Sequence, residues 1–147
     1  MKKSYYIIIK VQKSVNSIKE LWVISYELWV MKESLVYNKA LNYAVRIVNL
    51  YKYLNENHRE CIISKQLLRC GTSIGANISE ALSAESTADF IHKLSISQKE
   101  ANETQYWLTL LCKTEYISTK EYDSMIEDCE EIRKMIISII ITSKKNP

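Results

Sequence analysis

Two glycines and one proline in 147 residues leave this chain almost no material for tight turns. Average usage at this length would give about ten glycines and seven prolines. Glycine supplies positive φ and proline pre-sets turn geometry, so their scarcity argues against sandwiches and barrels, which need many short connections. It favours long helices joined by few loops. The proline is the terminal Pro147, and Gly71 and Gly75 both fall inside an apolar periodic segment, so the predicted loops contain neither residue. The length suits one ordinary domain. With 47% apolar and 25% charged residues, the composition is globular rather than disordered.

Four segments repeat their apolar residues at helical spacing. The first spans about residues 35–55, with Tyr37, Leu41, Ala44, Val48 and Tyr51 as its stripe and Ala40, Ile47 and Leu54 on the flank. The second runs from about 62 to 84, with Leu67, Gly71, Ile74, Ile78, Ala81 and Leu82 on one face. Its apolar phase continues through both glycines, so a continuous helix is expected there, with the glycines as sites of close backbone approach. The third opens at the capping-box-like Ser86-Thr87-Ala88-Asp89 and carries Phe90, Leu94, Ala101, Leu108 and Leu111. The fourth opens at Ser118-Thr119-Lys120-Glu121, an S-x-x-E capping box, and continues through Met125, Cys129, Ile132, Ile136 and Ile139. Short links make sequential helices antiparallel. The expected fold is all-α: an up-down-up-down four-helix bundle over residues 31–147 with an N-terminal extension over residues 1–30.

The extension differs in character from the bundle segments. Glu20-Leu21-Trp22-Val23-Ile24 recurs seven residues later as Glu27-Leu28-Trp29-Val30-Met31. Two readings stand: a heptad fragment of an amphipathic helix, or translation of a repeated segment upstream of a true start at Met31. The extension holds five lysines and two glutamates, which accounts for the whole net charge of +3, so residues 31–147 are neutral. No secretory signal is expected, because Lys10 and Lys13 interrupt the apolar run and no A-x-A motif occurs after it. The apolar stretch at 21–31 is too short to span a bilayer, which takes roughly 20 residues. Cys61, Cys70, Cys112 and Cys129 form no C-x-x-C pair, so they read as small buried hydrophobes in a reducing cytoplasm.

The stretch from Gln66 to Ala81 reads QLLRCGTSIGANISEA. It resembles the signature of the 23S rRNA intervening-sequence four-helix-bundle proteins, roughly Q-L-x-R-x-x-x-S-I-x-A-N-I-x-E-A/G. The resemblance continues through Asp89-Phe90-Ile91-His92-Lys93-Leu94, through Ser97, Glu100, Ala101, Glu103, Thr104, Tyr106, Trp107 and Leu108, and into Ile117-Ser118 with Tyr122. It covers about residues 31–143. It implies a small bundle that assembles as a homo-oligomer, often a pentameric ring. Some relatives are encoded within large ribosomal RNA genes, and others bind RNA and a reverse transcriptase. It transfers the fold more safely than the job.

Gly71, Ser73, Gly75, Asn77, Glu80, Ser97, Glu100 and Glu103 mark this signature, and their polar members, with Thr104, gather on the second and third segments. One reading is a carboxylate site inside the bundle. A di-iron bundle needs two Glu-x-x-His motifs, and neither His58 nor His92 lies three residues after a glutamate, so no metal or other cofactor is expected. The preferred reading is a hydrogen-bonded polar layer that fixes helix register or a subunit interface. No nucleophile elbow, P-loop or dinucleotide fingerprint occurs, so no catalysis is expected. RNA binding is the expected function, with Lys39, Arg46, Lys52, Arg59, Lys65, Arg69 and Lys93 as candidate phosphate contacts. The competing assignments are intramolecular partners of nearby carboxylates for those residues and, for the whole chain, a protein-protein scaffold with no nucleic-acid role.

Overall fold

The computed structural model describes residues 35–145 together with residues 18, 21 and 23. The chain divides into two compact units, Met1–Ser34 and Leu35–Pro147. In the first, Ile18, Leu21 and Val23 are helical with exposed side chains. The remainder of the Glu20–Met31 repeat lies outside the described residues.

The second unit consists of four helices: α1 over residues 35–58, α2 Ile63–Leu82, α3 Thr87–Lys113 and α4 Thr119–Lys145. Contacts between them run antiparallel. Between α1 and α2, Asn55 bonds Ser64 and Ala40 lies against Gly75. Between α2 and α3, Arg69 meets Glu103 and Glu80 meets Lys93. Between α3 and α4, Thr109 meets Tyr122 and Gln105 meets Glu130. Lys39 and Arg46 of α1 reach Glu131 and Asp128 of α4. The core runs along the inside of this ring, through Ile47, Leu54, Leu67, Ile74, Ile78, Leu94, Leu108, Leu111, Ile132 and Ile136.

The core face of α1 differs from the predicted stripe. Val36, Ala40, Tyr43, Ile47 and Leu54 are buried, whereas Leu41 is 49% exposed and Tyr37, Ala44, Val48 and Tyr51 are half-buried. The sequence carries two adjacent apolar stripes on α1, and the one holding the large Tyr43 and Ile47 turns inward. On α2, Leu82 is likewise exposed rather than part of the core face. The core faces of α3 and α4 agree with the spacing, and buried Ser97 and Thr104 fill the gaps in the α3 seam. Helix α2 passes unbroken through both glycines. A Cβ on Gly71 would sit 2.8–2.9 Å from three carbons of Ile47, so any larger residue there would have to displace the Ile47 side chain. A Cβ on Gly75 would meet Ala40 at 3.6 Å, an ordinary contact.

Helix ends show how a chain with glycine-free loops turns. Arg59 (φ 52°) and Glu115 (φ 62°) take the left-handed conformation after α1 and α3, where glycine is usual. Ser118 and Glu121 form the expected reciprocal box: the Glu121 carboxylate accepts from the Ser118 N–H at 2.8 Å, and the Ser118 hydroxyl accepts from the Glu121 N–H at 3.3 Å. Ser86 caps α3 by accepting from the Asp89 N–H at 3.1 Å. The start of α2 is capped by a residue that the sequence did not announce. Glu60 folds its carboxylate over the helix N-terminus and accepts from the N–H groups of Ile62, Ile63 and Ser64 at 2.7–2.9 Å. Burial pushes this carboxyl up, but the three N–H donors and the Ser64 hydroxyl outweigh burial and leave it below the usual value.

Candidate functional site

The seven candidate cations divide by position. Along the length of the bundle they are neutralised. Lys39 Nζ donates to Glu131 Oε2 at 2.8 Å. Arg46, seven residues on and hence on the same side of α1, is paired with Asp128, and its guanidinium also donates to the Ser124 hydroxyl at 2.8 Å and carbonyl at 3.2 Å. Arg69 lies between two carboxylates of α3, bonded to Glu103 and 3.7 Å from Glu100. Lys93 is bonded to Glu80. These partners raise the Arg69 and Lys93 pKa values above their usual range, through Glu103 and Glu80 respectively. The Trp107 indole donates to Glu103 at 3.1 Å and, with Arg69, holds that carboxyl below its usual value.

Lys52, Arg59 and Lys65 are exposed and have no ion-pair or hydrogen-bond partner among the described residues. They lie at one end of the bundle: Lys52 in the last two turns of α1, Arg59 in the α1–α2 turn and Lys65 in the first turn of α2. The α3–α4 turn is at the same end, because the His58 ring lies edge-on to Tyr116 at a centroid distance of 5.8 Å. That turn brings Lys113 and Lys120, two further cations without a described partner, neither of which stands out in the sequence.

The polar signature residues do not form one layer. Ser97 is fully buried and its hydroxyl donates to the Ile74 carbonyl of α2 at 2.8 Å, a cross-link that sets the α2–α3 register. Thr104 is fully buried and bonds the Glu100 carbonyl of its own helix. Asn77 donates to the Ser73 carbonyl one turn before it, and both residues are half-buried. Glu80, Glu100 and Glu103 face the α2–α3 edge, where Lys93 and Arg69 take them up. Among the described residues no group of three His, Cys, Asp or Glu side chains is placed to hold a metal ion. Cys70 and Cys129 are buried, and burial pushes both thiols up to about 11. Cys112 is half-buried and Cys61 is exposed, so the reading of all four cysteines as core residues is corrected for Cys61, which lies in the α1–α2 turn.

The outer surface of α1 and α2 shows a second departure from average. Between residues 40 and 49 of α1 the only charged side chain is Arg46, which is turned to α4, and residues 70–79 of α2 contain none. Exposed Leu41 and Val45 (49% and 54%) lie in this uncharged stretch of α1, and exposed Ala76 and Ser79 lie in that of α2.

Four antiparallel helices with the glycine-bearing signature helix laid against α1 and α3 define a small helical-bundle class. The chain belongs to the family described as 23S rRNA-intervening sequence protein, whose profile matches residues 32–138. It is similar in structure to a protein of unknown function from the S23 ribosomal protein family of Bacteroides thetaiotaomicron. The two share 59% identity over 74% of this chain and 97% of that one, with a TM-score of 0.74. None of the curated proteins matches the chain. No described helix is long and apolar enough to cross a membrane.

Proposed function

We propose that this chain is a non-catalytic, self-associating bundle that serves as a cytoplasmic RNA-binding accessory module. The observation that carries the proposal is the partition of its cations: Lys39, Arg46, Arg69 and Lys93 are neutralised along the bundle, whereas Lys52, Arg59 and Lys65 are unpaired at one end. Phosphate binding needs cations free to exchange counterions, and of the seven candidates only Lys52, Arg59 and Lys65 are free. Since residues 31–147 are neutral as a whole, binding rests on this distribution and not on net charge. Self-association is supported by the uncharged α1–α2 face, because depletion of charge around exposed apolar side chains is the mark of an interface core. A ring of copies, a pentamer by family likeness, would multiply a modest basic end by its copy number. The non-catalytic reading is supported by the protonated buried thiols and by the engagement of the α2–α3 carboxylates by Arg69 and Lys93. The unpaired cysteines suit a reducing compartment.

The test combines light scattering of the purified protein with titration of RNA at several salt concentrations. The proposal expects an oligomer larger than a dimer and an RNA affinity that falls steeply with salt. An oligomer that binds no RNA at low salt would leave the protein-protein scaffold as the function.

A further inference from the structure

Resting on the RNA-binding reading, we propose that the α1–α2 end of the bundle grips single-stranded RNA by stacking an unpaired base on Tyr53 while Lys52, Arg59 and Lys65 hold the neighbouring phosphates. Three observations carry it. First, the free cations share this end of the bundle with aromatic rings. Tyr53 is 42% exposed, and the His58 ring lies edge-on to it at a centroid distance of 5.3 Å with the ring nitrogen 3.3 Å from the Tyr53 hydroxyl. On its other side His58 meets Tyr116, so Tyr53 is braced through His58 onto the α3–α4 turn rather than waving on a free side chain. An exposed ring held at a fixed angle is a platform whose ordering cost is already met by the fold.

Second, the backbone at this end offers phosphates little. Helix N-termini are ready anion sites when open. Here the N-terminus of α2 is closed by the Glu60 carboxylate, and that of α4 carries the Ser118–Glu121 box, in which the Ser118 hydroxyl accepts from Glu121 N–H and the Glu121 carboxylate adds negative charge beside the helix start. Phosphates must therefore be held by side chains, and Arg59 stands at the tip of the α1–α2 turn on a left-handed residue. Third, the patch is compact, limited to one end of a single bundle. Duplex RNA is read by shape across successive grooves, which takes an extended row of contacts, whereas a ring flanked by cations fits a splayed base and its adjoining phosphates.

The test uses the full chain and two fluorescent probes, a ten-nucleotide oligouridylate and a blunt hairpin duplex, with affinity read by anisotropy. The wild type is expected to favour the oligouridylate. Tyr53→Ala should weaken that probe by about tenfold and leave the duplex unchanged, in keeping with the loss of one stacked base. Tyr53→Phe should restore binding because it keeps the ring. Replacing Lys52, Arg59 and Lys65 by Gln should weaken both probes. Thermal melting of each variant separates lost binding from lost folding. If Tyr53→Ala melts normally and binds the oligouridylate as the wild type does, while the triple variant loses it, stacking is overturned and RNA binding at this end stands. If the wild type prefers the duplex, the single-strand assignment is overturned. If the wild type binds neither probe at low salt, the RNA-binding reading fails, and this inference with it.

Discussion

The flanks of the bundle and its α1–α2 end use the same residue types in opposite ways. On the flanks, Lys39, Arg46, Arg69 and Lys93 meet carboxylates of a neighbouring helix. Arg46 touches Asp128 and Ser124, and Arg69 is held between Glu100 and Glu103. At the end, Glu60 and Glu121 are engaged by backbone N–H groups, while Glu56 and Glu115 are exposed. Glu60 and Glu121 cap helices and leave Lys52, Arg59 and Lys65 without acidic partners among the described residues. One set of charges joins helices, and the other is the set we propose for RNA phosphates. A basic residue in a sequence says little about function until it is known what the nearest carboxylate is doing.

The comparison can be broken first at the flank contact between α1 and α2. Gly71→Ala should cost about 2 kcal/mol, because its Cβ would press on the branched Ile47 side chain, and the gain in helix propensity only partly offsets this. Gly75→Ala should instead stabilise by about 0.5–1 kcal/mol, since ordinary contact distance exists there. Thermal unfolding of both variants checks the opposite signs.

At the end of the bundle, Glu60→Ala should cost about 1–2 kcal/mol at neutral pH through loss of the α2 cap. The folded carboxyl titrates below the ordinary 4.5, so its contribution is fully present above that value and is lost as pH falls through the lowered folded value. The stability gap between wild type and variant should therefore close as the pH is taken below 4.5 and through the lowered folded value. A gap that stays constant would show that the charge plays no part in the cap.

Arg59→Gly separates the two roles of the end. It should raise stability by about 1 kcal/mol by relieving the left-handed backbone and should weaken RNA binding at the same time. On the flank, Arg46→Met should lower stability by only about 0.5 kcal/mol, as expected of a partly exposed ion pair, and leave RNA affinity unchanged. Lys52→Gln and Lys65→Gln should change stability by less than about 0.5 kcal/mol each, read by thermal melting.

Much of the fold was legible because helical period and capping are local signals. The α3 and α4 seams and the Ser118-x-x-Glu121 box agree with the structure, as does the unbroken α2. The α1 face was not legible, because two apolar stripes lie side by side and only packing decides which is buried. The outer stripe then becomes the uncharged surface carrying Leu41 and Val45. The Glu60 cap escaped because N-cap patterns look for a short polar side chain at the cap position, which here is Ile62, with the carboxylate reaching forward from two residues earlier. The division of the cations escaped for a different reason. Asp128 and Glu131 lie 82 and 92 residues from Arg46 and Lys39, and the pairing emerges only once α1 and α4 are set side by side.

The measurement that bears most directly on this division is the salt dependence of RNA affinity in two triple variants of the intact chain. One carries Gln at Lys52, Arg59 and Lys65, and the other carries Gln at Lys39, Arg46 and Lys93. For the end variant the slope of log affinity against log salt should be shallower than wild type by about 2, three phosphate contacts at roughly 0.7 each. For the flank variant it should equal wild type. A shallower slope in the flank variant with the end variant unchanged would contradict the account.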